Sequence, residues 1–460
     1  MGLICLFHVS ERSILMKPLK KIGFLYFFFI TLLLCLLSCN THPVNSIDDV
    51  FEPISIDDPL EPKPINRVRI IIDEKDLTYL FDNCYEHGEE YECPCTFYAL
   101  INGKNITIKD CGIRIHGGYS RQLPKKSFRI YFKEDHFVSE ELFKGFPAQF
   151  ERSNKFSQII LNADLLDYSH IRNYLSMYFS NKSGCFTPRI TFIWLDINGI
   201  EYGLYSVIER VNNDFCEELL NHDDFDLVKA ANYNANLKSI DWKTGNPKEI
   251  ESGFEIKEGS IKPVEDLVAY IENGCFNLTE IKGMVSPGFL YSYFTSAYIT
   301  DDNDAFYYNY YLLHDKRKKY FSIIRWDADI TYDRPSGILN HIPLKEQFLK
   351  NGLYHKLGQT FWKDYIKQFI KKTLETDFQE SAQLAIVDSL DACLRDYAIK
   401  DLKLWWERLE TWFETETWDD YFSQKYNKNT CDELYNDNIG LIKEFITTRN
   451  EEVLAELKDW

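Results

Sequence analysis

The sequence predicts an α+β protein in which a strand-rich first half gives way to helices. Three observations carry that prediction. Apolar and polar residues alternate in short runs between residues 68 and 209, punctuated by two Asn-Gly turns, the pattern of half-buried strands and tight hairpins. Helical apolar spacing dominates from Val264 onward, interrupted by one more hairpin. Aromatic residues make up 15% of the 460 residues, with 29 Tyr and 33 Phe, enough side-chain volume for a large core.

The chain opens on an export pattern. Lys17, Lys20 and Lys21 precede an apolar run, Ile22 to Leu37, that is short for a spanning helix. It ends Leu36-Leu37-Ser38-Cys39, similar to a lipobox whose Cys is acylated. Met16 is the expected start. Residues 1–38 are therefore expected to be a lipoprotein signal peptide, and Cys39 a lipid attachment that tethers an exported protein to the bacterial cell envelope. Residues 39–66 are rich in Pro, Asp and Ser and read as a flexible spacer. A net charge of −19 leaves no basic stripe for phosphate backbones, so no nucleic-acid partner is expected.

Past the signal, Cys84, Cys93, Cys95 and Cys111 cluster closely enough for one or two disulfides in an oxidising compartment. A zinc site is the weaker reading, because no paired Cys-x2-Cys or His-x3-His accompanies them.

Val68–Asp73 alternates as a strand, and Thr96–Ile101 with Asn105–Lys109 forms a hairpin about Asn102-Gly103. Gly112–His116 continues as a strand into Gly117, Gly118, Ser120 and Arg121, and Lys125–Phe132 is the next strand. Glycines, a hydroxyl and a strand lysine suit a phosphate cover, with Lys126 on the face of Phe128 and Lys125 on the other. Asp167–Ser180 reads as a helix, and Ile190–Asp196 with Glu201–Glu209 as a hairpin about Asn198-Gly199. Glu209-Arg210-Val211-Asn212 is a candidate hinge whose backbone would read an adenine edge. Val264–Ile271 and Pro287–Ile299 are helical and deliver the chain to Asp304.

There the chemistry concentrates. Asp304 precedes Asn309 by five positions, and Trp326-Asp327-Ala328-Asp329 follows after strands at Tyr308–Leu313 and Tyr320–Arg325. Such a hairpin brings Asn309 and Asp327 to one open end, about 5 Å apart across neighbouring strands. Phosphotransferases of the protein-kinase type use one Asp to accept a hydroxyl proton, an Asn five residues on for metal, and a later Asp for metal and phosphates. An acidic hairpin mouth that only solvates or binds a structural cation is the plainer reading of the same residues.

These segments resemble the spore-coat protein H (CotH) kinase family. The likeness rests on Gly112-x-Arg114-x-His116-Gly117-Gly118-x-Ser120-Arg121, Pro124-Lys125-Lys126-Ser127-Phe128, His170-Ile171-Arg172-Asn173, Gly203 to Glu209, Asp304 to Tyr311, and Trp326 to Asp329. It implies an atypical protein-kinase-like two-lobed core over residues 67–345, with a β-rich N-lobe to about 212 and a helical C-lobe. Residues 346–460 are expected to follow as a helical extension, with helical spacing over 361–374, 378–394, 401–413 and 431–457, whose Trp405, Trp406, Trp412 and Trp418 pack on the C-lobe, a sugar-stacking platform being the alternative. The resemblance further implies ATP with Mg²⁺ (or Mn²⁺) and a protein Ser/Thr hydroxyl as acceptor. Asp304 would be the catalytic Asp, Asn309 and Asp327 metal ligands with Asp329 beside them, and Lys126 or Lys125 the phosphate lysine. Three residues depart from the family pattern: His116 for Arg, Asp302 for Asn, and Arg325 for Pro. The helix after the lysines offers no Glu, so the usual Lys–Glu pair is expected to be absent or replaced by Asp167. A silent surface lipoprotein using the fold for binding or assembly is the alternative function, and transfer of AMP or glutamate a third.

Overall fold

The computed structural model describes residues 65–86, 88–133, 137–147, 153–273, 277–332, 342–359, 362–415 and 427–459. The expected signal peptide, Cys39, nearly all of the spacer, and Trp418 lie outside them.

The first strands run β1 (Asn66–Ile72), helix α1 (Glu74–Asp82), β2 (Cys93–Ile101), β3 (Lys104–His116), β4 (Ser127–Phe132), β5 (Phe137–Val138), β6 (Lys155–Phe156) and β7 (Gln158–Asn162). Helix α2 (Arg172–Lys182) separates them from β8 (Ile190–Ile197) and β9 (Ile200–Glu209). Seven of these strands close into a barrel in the order β1-β2-β3-β4-β7-β9-β8, with β1 and β8 parallel at the seam. Alternation dictates the interior. Val68, Ile70 and Ile72, Phe97 and Ala99, Ile113 and Ile115, Phe128 and Ile130, Ile159 and Leu161, Ile193 and Leu195, and Tyr205 and Val207 all point inward. Both Asn-Gly turns have positive φ at each central residue (47° and 75°, 52° and 81°), the geometry that matches strand twist.

Next come α3 (Asn213–Leu220), β10 (Phe225–Ala230), β11 (Phe254–Glu258), α4 (Lys262–Glu272) and α5 (Leu278–Met284). A π-type turn at Gly288–Ser292 leads into α6 (Tyr293–Ile299), so the helix expected from Pro287 is split. β12 (Tyr310–Asp315) and β13 (Tyr320–Arg325) then complete an antiparallel four-stranded sheet in the order β11-β10-β12-β13. One face of that sheet meets the barrel: Leu227, Tyr311, Leu313 and Ile324 pack with Ile160 and Ile208. The other face joins the helical core through Val228, Leu312 and Ile323.

The remaining helices are α7 (Leu344–Lys350), α8 (Gly352–Gly358), α9 (Trp362–Glu375), α10 (Glu380–Thr415) and α11 (Cys431–Asp459). Two helices expected over 378–394 and 401–413 form one, α10. No Gly or Pro breaks it, and an Arg395–Asp391 pair at 2.7 Å supports the joining turn. Trp405 of α10 lies on the barrel, its indole N–H donating to the Tyr202 carbonyl at 2.8 Å. The C-terminal helices thus touch the strand-rich half as well as the helical one.

Cys84, Cys93, Cys95 and Cys111 are free, buried thiols in the structure, so the expected disulfides are not formed. Cys95 and Cys111 are direct partners across β2 and β3, and the Cys111 thiol donates to the Ile108 carbonyl instead. Among the described residues, no helix is long and apolar enough to cross a membrane.

Candidate active site

Asp304 begins a one-turn 3-10 helix, Asp304–Phe306, in the loop between α6 and β12. The loop is pinned from several elements. Tyr293 donates to the Ala305 carbonyl (2.6 Å), Asn351 to the Phe306 carbonyl (3.3 Å), and Gln347 to Asn303 Oδ1 (3.0 Å). Arg449 of α11 caps the end of α6 by donating to the Tyr298 and Ile299 carbonyls at 2.7 and 3.2 Å. Asp302 holds the Arg325 guanidinium at 2.7 Å and accepts from the Ala305 N–H at 3.2 Å.

Asp304 is 8% exposed. Burial, with the Asp302 carboxylate adding, pushes its carboxyl up to about 6, against the Tyr308 hydroxyl that donates to Oδ2 at 2.9 Å. Lys350 of α7 opposes the rise and donates to Asn303 Oδ1 at 3.4 Å.

Asn309 and Asp327 meet at the open end of the β12–β13 hairpin, as its register predicted. The Trp326 N–H donates to the Asn309 carbonyl, and Asn309 Nδ2 to the Asp327 carbonyl, each at 3.1 Å. Both residues adopt left-handed backbone, φ 64° and 54°, a conformation that Asn and Asp tolerate best among residues with a Cβ. The second bond commits the amide nitrogen of Asn309, and among the described residues its Oδ1 accepts no hydrogen bond. Asp327 keeps an open face toward solvent although the carboxyl lies deep among protein atoms. Burial and then Asp329 push it up to about 7. Ala328 between them donates to Asn173 Oδ1 of α2 at 3.1 Å, fixing the turn. Asp164 adds a further carboxyl close to Asp329, held well above its ordinary range by burial and by Asp167 and Asp329. Among the described residues, no three His, Cys, Asp or Glu side chains close into a ready-made metal cage.

The phosphate side differs from expectation. Lys125 and Lys126 precede β4 rather than alternating along it. Lys125 is fully buried, and its Nζ donates to the Ala163 and Leu204 carbonyls (3.1 and 2.5 Å) and to both oxygens of Asp401 (2.8 and 2.9 Å). Three protons facing four acceptors leave nothing for a ligand. Burial draws Lys125 down and lifts Asp401. The lysine and His170 outweigh that on the acid, so Asp401 stays below its ordinary range and the pair is ionic. Asp401, on α10, therefore fills the place expected for Asp167. Asp167 instead pairs with Arg172 at 2.6 Å and caps α2.

Lys126 is half-buried and donates to the Arg121 carbonyl at 2.5 Å. Arg121 is buried and spends its donors on the Gly117, Cys84, Glu86 and Ile115 carbonyls at 2.6–2.9 Å, so it braces the turn and faces no phosphate. Gly117 is needed there, since a Cβ would lie 2.0 Å from Ser120 Oγ; Gly118 has open space beside it. Glu209 donates its N–H to the Arg189 carbonyl and pairs its carboxylate with Arg189 at 2.8 Å. His116 is neutral, held well below its ordinary range by burial and Arg129, and its Nδ1 accepts from Arg129 at 3.1 Å.

The sequence reading missed Asp401, Asp164, Arg129, Arg210, Lys229 and Lys350. Arg129 was findable, because alternation along β4 puts it on the outer face opposite Arg114. Asp401 was not, since it is 276 residues from Lys125.

Fold and site together define a mixed α+β protein with carboxylates gathered at a hairpin mouth beneath a closed barrel. The family model described as CotH kinase protein matches residues 113–453, and this chain belongs to that family. It is also 24% identical over 276 residues to the Inner spore coat protein H of Bacillus subtilis (strain 168), covering 58% of this chain and 68% of that protein.

Proposed function

We propose that the protein is a kinase-like phosphotransferase that moves the γ-phosphoryl group of ATP to a protein Ser or Thr hydroxyl. The observation that carries this is the meeting of Asn309 and Asp327 across the hairpin, with Asp304 buried in the adjoining loop. Asp304 accepts the acceptor's hydroxyl proton, the hydroxyl oxygen bonds to the γ-phosphorus, and ADP leaves. A carboxyl lifted toward 6 is a better proton acceptor than an ordinary one and is still ionised at neutral pH.

The donor set fits Mg²⁺ or Mn²⁺. Asp327 and Asn309 Oδ1 are hard oxygens, and Mg²⁺ commonly takes one or two carboxylates and completes its shell with phosphate and water, so no protein cage is required. When bound, the ion neutralises charge on the phosphate oxygens. In this reading the barrel and the four-stranded sheet act as the two lobes of a kinase-like core. Export and lipid attachment at Cys39 belong to the same proposal, and the spore-coat relative supports a place outside the cytoplasm.

The test is incubation of the protein with labelled ATP and protein acceptors, with and without Mg²⁺. Divalent-dependent label on Ser or Thr is expected, and intact mass separates phosphate from AMP. Absence of any label with every cation defeats the proposal.

One observation favours a second reading, a non-catalytic binding or assembly module: Lys125 has no donor to offer a nucleotide. A melting temperature unmoved by ATP and Mg²⁺ would select it.

A further inference from the structure

Three cations stand at the junction of barrel and four-stranded sheet. Arg129 leaves the outer face of β4, donates to His116 Nδ1 at 3.1 Å and to the Tyr131 hydroxyl at 3.2 Å, and its buried Nε has no partner. Arg210, buried just past β9, donates to the Tyr311 hydroxyl at 2.8 Å. Lys229 stands opposite Tyr311 in the β10–β12 register, 6.0 Å from the centre of the Trp326 ring that Tyr311 also packs against. Among the described residues, none of the three makes an ion pair. Glu255 stands opposite Lys229 in the β10–β11 register and feels Lys229 and Arg210, but its ion pair is with Lys257.

Neutral acceptors are poor company for guanidinium groups withdrawn from water, because they return little of the lost hydration. Cations left this way at a cleft focus a positive potential that an anion would satisfy. The location is specific. Lys229 lies over the ring of Trp326, the residue before Asp327, so the cations border the acidic hairpin mouth. Acid and base side by side suit a phosphate chain with a cation on its other flank.

We propose that Arg129, Arg210 and Lys229 form the subsite for a linear phosphate chain, in place of the Lys125–Lys126 pair. A nucleotide and an inorganic polyphosphate both carry such a chain, and the subsite recognises their shared phosphates. The inference deepens the phosphotransfer reading and takes from it the orientation of the chain, with its terminal phosphate toward Asp304.

The experiment titrates the full-length protein with inorganic triphosphate and, separately, with ATP, without metal, by calorimetry. Both ligands are expected to bind, and Arg129→Met and Lys229→Met each to weaken both by about tenfold, the loss of one charge-assisted contact. Lys400→Met, a surface lysine paired with Glu201, should leave both affinities unchanged. If Arg129→Met fails to fold by circular dichroism, Lys229→Met decides, being half-buried on its strand. Equal affinity in wild type and Lys229→Met, or binding of ATP but not triphosphate, overturns the subsite. Triphosphate binding that the variants weaken, in a protein that transfers no phosphate, keeps the subsite and overturns the phosphotransfer reading.

Discussion

Asp302 and Arg325 form a buried ion pair, Oδ2 to Nη2 at 2.7 Å, between the loop that carries Asp304 and the strand that leads to Asp327. The resemblance leads one to expect Asn and Pro at these two positions, and here the two residues meet in one ion pair. Arg325 also donates to Thr300 Oγ1 at 3.0 Å and to the Ser180 hydroxyl, so one guanidinium ties α2, the end of α6 and the Asp304 loop together. An isolated Asp302 would set an unpaired charge beside Asp304; paired, it becomes a brace.

Breaking the brace on one side is therefore expected to cost more than removing it whole. Asp302→Asn leaves a buried guanidinium uncompensated and should lower stability by about 3 kcal/mol. The double variant Asp302→Asn with Arg325→Met should recover most of that loss. Urea denaturation of wild type, Asp302→Asn, Arg325→Met and the double variant measures it, and additive losses would show that the two residues act independently.

Gly203 sets up the second prediction. Its φ is 101°, and a Cβ there would lie 1.9 Å from Asp401 Oδ1, the oxygen that also accepts from the Leu204 N–H at 2.9 Å. Gly203→Ala should push Asp401 off Lys125 and cost about 3 kcal/mol. Gly199→Ala, with φ 81° and no neighbour within 4 Å, should show backbone strain alone, about 1 kcal/mol. Equal urea midpoints for the two variants would remove Asp401 from the argument.

These pairs mark what a sequence can and cannot disclose here. Periodicity located the barrel strands because inward residues repeat every second position, and the Asn-Gly turns fixed two hairpins. Hairpin register was enough to bring Asn309 to Asp327. The partner of Lys125 was hidden for a different reason: burial of one charge selects another by distance in space, and a long helix late in the chain supplied it. Alternate faces for Lys125 and Lys126 follow only from a β4 that begins two residues before Ser127. One shifted boundary turned a phosphate lysine into a core ion pair.

The proposed role of Asp304 as base carries its own signature. Asp304→Asn should reduce turnover about 10²–10⁴-fold while the circular dichroism spectrum and melting temperature stay near wild type. Turnover of wild type should rise with pH to a half-maximum near 6, because burial and then Asp302 lift the Asp304 carboxyl to about that value. Asp302→Asn removes the neighbouring negative charge and should move that limb to lower pH. A limb at the same pH in both proteins would assign it to another group.

Metal removal tests the hairpin mouth through stability. Asp304 and Asp327 have carboxyls raised to about 6 and about 7 by burial and by neighbouring carboxylates, against about 4 in an unfolded chain. A raised acid favours the folded protein while protonated, so this contribution is complete below about pH 4 and is lost as pH rises through 6 and 7. Metal-free protein should therefore lose thermal stability across that window. Mg²⁺ with ATP should restore it most at pH 7 to 8, where both carboxylates are charged and closest to needing a cation. Asp327→Asn should flatten the upper part of the metal-free profile and abolish the Mg²⁺-dependent rise in melting temperature. Thermal melts at pH 5, 6, 7 and 8, with EDTA and with Mg²⁺ and ATP, supply the comparison. A rise in melting temperature of the same size in Asp327→Asn and wild type would place the cation elsewhere.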